Sequence, residues 1–85
     1  MPLMTKTLEL TLDLVAKGKK VKLLSFNADS LMCAEFSSLG FLPGDEIEVV
    51  GRAPFGGPIS INHRNQLFAL RKELAKLIIT QEISL

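Results

Sequence analysis

Apolar and polar residues alternate strictly from Thr7 to Leu14, with a leucine at every second position. A period of two places these leucines on one face of an extended strand, whereas a helix would scatter them. We therefore predict a strand here. A second β-rich stretch, from Val21 to Phe26, follows a turn at Lys17 to Lys19, and we expect it to be the first strand of the core.

Helical spacing replaces this alternation in the next segment. Met32, Phe36 and Leu39 recur at intervals of four and three, which gives one apolar stripe along a helix. Asp29 or Ser30 can cap its first turn, because a short side-chain oxygen there accepts from a free backbone amide. The pattern therefore predicts one helix in the first half of the chain.

This helix is predicted to end at Gly40, since glycine readily adopts the left-handed conformation that terminates helices. Pro43 and Gly44 then favour a type II turn, because proline fixes φ and glycine accepts a positive φ. Polar and apolar residues alternate again from Glu46, in a stretch that continues to Arg52. This second alternation predicts an antiparallel strand with one face in solvent.

Two prolines and two glycines surround Phe55 in the segment from Ala53 to Pro58. This composition predicts a loop. A large apolar side chain in a loop needs either a pocket in the core or a binding partner. The sequence leaves both alternatives open for Phe55.

The last third of the chain predicts a hairpin and a final strand. Alternating residues in Ile59 to Asn62 and in Phe68 to Leu70 flank Asn65, which tolerates a positive φ. Lys72 to Lys76 suits one helical turn, and Leu77 to Thr80 has the composition of a strand. The predicted fold is mainly β, with about five antiparallel core strands and one inserted α-helix. So many short strands favour a small closed or nearly closed barrel, because closure removes exposed edges.

Size and composition indicate one globular domain. The chain has 85 residues, of which 47% are hydrophobic. Its net charge of +1, from 10 basic and 9 acidic residues, argues against a nucleic-acid partner. Cys33 is the single cysteine, and no apolar run approaches the roughly 18 residues of a membrane span. We therefore expect a cytoplasmic protein that does not span the membrane.

Catalytic and metal-binding residues are scarce. His63 is the single histidine and follows Ile59 and Ile61 at strand period, so it is expected on their face. A stable metal site needs three or four ligands, and the chain supplies only one histidine and one cysteine as nitrogen or sulfur ligands. We predict no enzyme, no metal site and no cofactor. An arginine finger acting on a partner's nucleotide is a remote alternative, with Arg52, Arg64 and Arg71 as its candidates.

Three motifs together resemble the FeoA family. They are LGFLPGD at 39–45 with Ile47 and Val49 after it, RAPFGGPI at 52–59, and LFALR at 67–71. Each motif is weak alone, and the specificity lies in the combination. The resemblance extends over roughly residues 12–80.

The resemblance implies an SH3-like barrel that acts in the cytosol beside FeoB, the membrane ferrous iron permease with a GTPase domain. The resemblance also implies a use for two apolar loops that proline stiffens, because rigid loops lose little entropy on docking. We predict that these loops bind the partner. Their residues are Leu39, Gly40, Phe41, Leu42, Pro43, Pro54, Phe55, Gly56, Gly57 and Pro58.

The sequence departs from the family pattern in several places. Cys33, Ala34 and Glu35 occupy helix positions that are often basic in the family, Asn65 replaces a hairpin glycine, and His63 replaces an apolar strand residue. The altered helix charge could change the partner-binding surface.

The N-terminus also exceeds the usual start of the family. We predict an extension over residues 1–11, forming an extra strand, before a barrel domain over 12–85. The extension could add an edge strand or mediate self-association. An alternative function for the whole chain is that of an SH3-like regulatory or interaction module that partners an iron-dependent transcriptional regulator.

Overall fold

The computed structural model describes residues 9–83, which form one antiparallel sheet with a helix inserted between its strands. The strands are β1 (Glu9–Thr11), β2 (Lys20–Phe26), β3 (Glu46–Arg52), β4 (Ile59–His63), β5 (Gln66–Leu70) and β6 (Ile78–Glu82). The helices are α1 (Ser30–Ser38) and α2 (Lys72–Ala75), and a single 3-10 turn covers Leu12–Leu14. A mainly β fold with an inserted helix is therefore confirmed.

The strands lie in the order β1-β6-β2-β3-β4-β5, and every neighbouring pair is antiparallel. The last strand, β6, thus lies between β1 and β2. Within residues 9–83 the sheet has six strands: the five expected core strands, β2 to β6, and β1, which pairs with the outer edge of β6. Residues 1–8 lie outside the described residues, so an extension over 1–11 and a barrel over 12–85 stay predictions.

The predicted strand from Thr7 to Leu14 is wrong beyond Thr11. The chain leaves the extended conformation at Leu12, where a 3-10 turn begins, and the amide of Val15 donates to the carbonyl of Leu12 at 3.2 Å. The turn ends the strict alternation of faces. Leu12 is fully buried while Leu14 is 63% exposed, and Leu8 lies outside the described residues.

The core is formed by the inward face of the sheet together with one face of α1. Alternate residues of β2, β3 and β4 point inward, as their period of two requires. The largest fully buried side chains include two phenylalanines, one from α1 and one from the segment after it. The buried apolar residues are Leu12, Val15, Val21, Leu23, Phe36, Phe41, Ile47, Val49, Ile59, Ile61, Leu70, Ala75 and Ile78.

Helix α1 begins and ends as its capping residues predict. The carboxylate of Asp29 accepts from the amide of Met32 at 2.8 Å, which satisfies one free donor of the first turn. At the other end, Gly40 has a φ of +95°. Its amide donates to Ser37, and that of Phe41 donates to Phe36 at 3.1 Å. This pair of bonds is a Schellman motif.

The Schellman motif decides which apolar residue enters the core. Leu39 was predicted in the buried stripe of the helix, but the helix ends one residue earlier and Leu39 is 53% exposed. The chain reverses at Gly40 and places Phe41 in the core instead, with its ring centroid 6.5 Å from that of Phe36 in an edge-on arrangement. A hydrophobic contact of this kind usually accompanies the motif.

Truncation of Phe41 tests its place in the core. We expect Phe41→Ala to lower the free energy of unfolding by about 3–5 kcal/mol, because it leaves a cavity where a fully buried ring was. Chemical denaturation would measure the loss. Leu42→Ala is the matched control, since this exposed neighbour should change stability by less than about 0.5 kcal/mol. Equal effects of the two substitutions would contradict the burial of Phe41.

Candidate partner-binding site

The two loops predicted to bind a partner lie at opposite ends of β3. The α1–β3 loop, residues 39–45, precedes Glu46, and the β3–β4 loop, residues 53–58, follows Arg52. Seven residues of extended strand separate the loops by roughly 20 Å. They therefore form two separate apolar surfaces and not one continuous patch.

In the α1–β3 loop, the predicted turn at Pro43 and Gly44 is present. Gly44 has a φ of +96°, and the amide of Asp45 donates to the carbonyl of Leu42 at 3.1 Å. The turn leaves the side chains of Leu39, Leu42 and Pro43 in solvent. This end of the barrel thus presents three exposed apolar side chains.

Phe41 differs from its neighbours in the same loop. Its ring is fully buried against His63, with centroids 4.5 Å apart, and against Phe68 at 5.2 Å. The prediction that Phe41 contacts a partner is therefore wrong for its side chain. The buried side chain of Phe41 anchors the loop to the core, while the side chains of Leu39 and Leu42 remain accessible.

In the β3–β4 loop, Phe55 is 103% exposed, so the structure excludes a core pocket, the first of the two alternatives that the sequence left open for it. Its ring has no pocket among the described residues. The φ angles of Phe55 and Gly56 are +60° and +74°, and the amide of Gly57 donates to the carbonyl of Pro54 at 3.2 Å. Two central residues of positive φ are the pattern of a type I′ turn.

The backbone of this turn is strained at Phe55. The left-handed region suits Gly, Asn or Asp, and a bulky residue there costs on the order of 1–3 kcal/mol. Gly57 is constrained as well, because a Cβ atom at this position would lie 2.7 Å from the Cβ of Ala53. The loop therefore holds an exposed aromatic ring in an unfavourable backbone conformation, a combination that folding alone does not explain.

Leu14 lies near this loop, and the sequence did not mark it as a binding residue. The guanidinium of Arg52 donates to the carbonyl of Asp13 at 2.6 Å and to that of Val15. These bonds hold the 3-10 turn beside the start of the β3–β4 loop, with Leu14 exposed on it. The alternating pattern concealed Leu14, because the same pattern predicts a continuing strand.

Asp45 connects the α1–β3 loop to the β4–β5 hairpin, and the sequence analysis included it only as the last residue of the LGFLPGD motif. One carboxylate oxygen lies 2.8 Å from Nε2 of His63 and accepts from the amide of Leu42 at 3.0 Å. The other oxygen accepts from Arg64 at 2.9 Å. The hairpin turn, Arg64 and Asn65, has positive φ at both residues and is thereby fastened to the loop.

The pKa of Asp45 reflects these contacts. Partial burial by itself raises the pKa of the carboxyl, but hydrogen bonds from His63, from the Leu42 amide and from Arg64 more than offset it. The result is a pKa lowered from 3.8 to about 2. Asp45 is thus ionised under all ordinary conditions.

Other kinds of site receive little support. An open cleft of about 280 Å³ on the outer face of β2, β3 and β4 carries both cations, Lys20 and Arg64, and carboxylates, Glu46 and Glu48. Within residues 9–83, no three His, Cys, Asp or Glu side chains are grouped to hold a metal ion. No helix in this part of the chain has the length and apolar character needed to span a bilayer.

The architecture is that of an SH3-like domain with an inserted helix. FeoA of Stenotrophomonas maltophilia, solved with zinc and described as a prokaryotic SH3 domain protein, is 25% identical. The match covers 84% of this chain and 88% of that one, with a TM-score of 0.71. A manganese-dependent transcriptional repressor matches with a TM-score of 0.80 at 21% identity, over 93% of this chain and 44% of the repressor. That likeness shows the fold alone.

The chain belongs to the FeoA domain family, whose model matches residues 10–82. A FeoA-like protein from Clostridium acetobutylicum is 32% identical and has a TM-score of 0.81, with 96% of this chain and 93% of that one covered. No curated protein matches the sequence. The resemblance found in the three sequence motifs is therefore confirmed.

Acid sensitivity tests the contacts of Asp45. Its pKa is lower in the folded protein than the ordinary 3.8, so the ionised form adds stability above about pH 4, and this contribution disappears as the pH falls through about 2. Asp45→Asn should cost about 1–2 kcal/mol near neutral pH, with allowance for solvent screening. Urea unfolding of both proteins between about pH 6 and pH 2 should show this difference shrinking with acid. A constant difference would contradict the pairing.

Relief of strain tests the conformation of Phe55. Asparagine tolerates the left-handed region, so we expect Phe55→Asn to leave the fold intact and raise the free energy of unfolding by about 0.5–1 kcal/mol. Thermal and urea denaturation would measure the gain. Phe55→Ala is the matched control, because it removes the ring but keeps a Cβ-bearing residue at positive φ, and it should bring no gain.

Proposed function

We propose that this protein is a non-enzymatic, cytoplasmic accessory protein of ferrous iron uptake that binds the cytosolic part of a FeoB-like permease. Membership of the FeoA domain family supports the connection to iron. The S. maltophilia relative is described as a candidate activating factor of bacterial ferrous iron transport. Binding to the permease is the step that we infer from the exposed loops.

The fully exposed ring of Phe55 is the observation that carries the docking proposal. A side chain this large removes much apolar surface from water when a partner covers it, and aromatic anchors of this kind often dominate interfaces. The type I′ turn and its two flanking prolines fix the loop in advance, which reduces the entropy lost on binding. Leu14 extends the apolar surface at the same end of β3.

The α1–β3 loop offers a second contact at the other end of β3. Leu39 and Leu42 are exposed there, but each is only about half accessible and neither backbone conformation is strained. We therefore assign the main contact to the loop that holds Phe55. The glycines and prolines of both loops shape the surface, while the leucines and Phe55 provide the contact area.

A non-enzymatic role is supported by what the polar side chains already do. His63 is buried and bonded to Asp45, so it is not free to act as a base for a nucleophile. Among the arginines considered as fingers, Arg52 binds two backbone carbonyls and Arg64 binds Asp45. These contacts give both arginines a structural role.

The alternative of a regulatory module beside a transcriptional regulator has less support. The repressor match rests on the fold, and this chain spans less than half of the repressor. No contact of the described residues favours a DNA-binding partner over a permease. The two proposals separate in a binding experiment, since only one predicts affinity for the permease.

The affinity for the isolated cytosolic region of the cognate permease, measured by calorimetry with and without guanine nucleotide, tests the proposal. We expect saturable binding, weakened about 30-fold by Phe55→Asn, as loss of an aromatic anchor worth about 2 kcal/mol would produce. Leu31→Asn is the matched control. Leu31 is 77% exposed on α1, outside both loops, and its change should leave the affinity unaltered.

Leu42→Asn separates the two ends of β3 in the same assay. A loss of affinity with Leu42→Asn but not with Phe55→Asn would move the docking surface to the α1–β3 loop. Absence of any binding by the unaltered protein would reject the permease as the partner, while the loop geometry would stand.

A further inference from the structure

One edge of the sheet is open along the whole of β5. In the described part of the chain β5 lies at the end of the strand order and pairs with β4 alone. Gln66, Leu67 and Ala69 are exposed, and Leu67 is 73% accessible. Among the described elements, neither α1 nor α2 packs extensively against β5.

The register of the hairpin shows which backbone groups are free there. The two-residue turn makes His63 and Gln66 a hydrogen-bonded pair, and such pairs alternate along an antiparallel ladder. Phe68 and Leu70 therefore direct their amides and carbonyls towards β4. Leu67 and Ala69 direct theirs outward, and no described residue bonds to them. The edge thus offers two donors and two acceptors at strand spacing.

The side chains of β5 do not protect this edge. Natural sheets usually blunt an open edge with charged residues, with proline or with a bulge. The strand QLFAL contains neither a charged residue nor a proline, and its pairing with β4 has no irregularity. An edge of this kind accepts an added strand, as in peptide recognition by β-augmentation.

Basic residues stand at both ends of the open edge. Arg64 precedes the strand in the hairpin turn, with a side chain 59% exposed beside its bond to Asp45. Arg71 and Lys72 follow the strand and are exposed, with Glu73 one residue further on. Asp45 compensates part of the charge of Arg64, and Glu73 part of that of Arg71 and Lys72, so the excess of positive charge lies mainly at the Arg71 end of the edge.

We propose that β5 is a strand-addition site. Its partner is an extended protein segment whose middle is uncharged and whose two ends each carry an acidic residue. The free backbone groups of Leu67 and Ala69 bind the added strand, and the terminal cations favour carboxylates in either strand orientation. The proposal goes beyond the docking of Phe55 and does not depend on it. Leu67 adds apolar contact on the outer face.

A second copy of this chain suits the edge less well. Symmetric antiparallel pairing of the free groups would place Leu67 opposite the other copy's Ala69. The same register brings Arg71 opposite the turn residue Asn65 and Lys72 opposite Arg64. Like charges would meet at both ends of such an interface, which is unfavourable. Charge therefore selects an acidic-ended partner over self-association.

Titration with a synthetic peptide, followed by amide NMR spectroscopy of the full chain at low salt, tests this site. The probe is a capped peptide with five alternating Val and Thr residues between two Glu residues, which matches β5 with one residue added at each end. We expect the amides of Leu67 and Ala69 to shift most and to gain protection from exchange. A matched peptide with Lys at both ends should bind roughly tenfold more weakly.

Two variants separate backbone pairing from charge. Ala69→Pro removes an outward donor without breaking the bonds to β4, and it should abolish the protection, while Ala69→Thr should retain it. Arg71→Glu combined with Lys72→Glu should make the protein prefer the Lys-ended peptide. This second variant keeps the test valid if proline disturbs the fold, because acidic residues suit the start of α2.

Absence of a response at Leu67 and Ala69 at millimolar peptide would overturn the proposal. Protection of these two amides without peptide would overturn it too, since the edge would already be occupied. Loss of that protection on dilution would identify a second copy as the occupant. Protection that persists on dilution but disappears on deletion of residues 1–8 would identify the chain's own N-terminus.

Discussion

The carboxylate of Asp45 is the interaction on which one end of the barrel depends. It joins the turn after α1 to the hairpin between β4 and β5, two segments that are eighteen residues apart. Both segments contain backbone of positive φ, at Gly44 and at Arg64 and Asn65. Glycine and asparagine accept such backbone readily, so Arg64 is the residue of this set for which the surrounding contacts matter most. The buried rings of Phe41 and His63 pack against each other beside this junction, with their planes tilted by 30°.

The two ends of β3 are therefore built on different principles. At the Asp45 end, the two turns are bound to one another by charge and hydrogen bonds, and the apolar side chain of Phe41 points into the core. At the opposite end, Arg52 fixes the 3-10 turn, while the strained residue Phe55 points into solvent with no partner among the described residues. Strain that is compensated inside the molecule indicates a structural role. Strain that is not compensated there supports the proposed role of Phe55 in binding.

Local patterns in the sequence predicted most of the elements. The limits of β3, the cap at Asp29, the helix stop at Gly40 and the turn at Pro43 and Gly44 each depend on a few neighbouring residues, so the sequence alone contains the information. The strand patterns also predicted a mainly β fold and a small barrel, and the family resemblance added that the barrel is SH3-like.

The candidate site was predicted less well, because it depends on contacts between distant segments. LGFLPGD contains three large apolar residues at 39, 41 and 42, and nothing in their spacing says that Phe41 turns inward while Leu39 and Leu42 face solvent. Similarly, leucine at every second position conceals the break at Leu12, which Arg52 stabilises from the far end of β3. The separation of the two loops is also a property of the folded sheet. The short distance between the loops in the sequence does not predict it.

The place of β6 in the sheet has a consequence for how the protein is made. Of the six described strands, β6 is synthesised last and lies between β1 and β2, so both of its pairings join residues more than fifty positions apart. Contacts this distant form slowly, because a long loop of chain must close before they contribute any stability. During translation the earlier strands have no neighbour on this side until β6 emerges from the ribosome. The nascent chain thus depends on late, cooperative folding, and chaperones that shield unpaired strands would matter most in that interval.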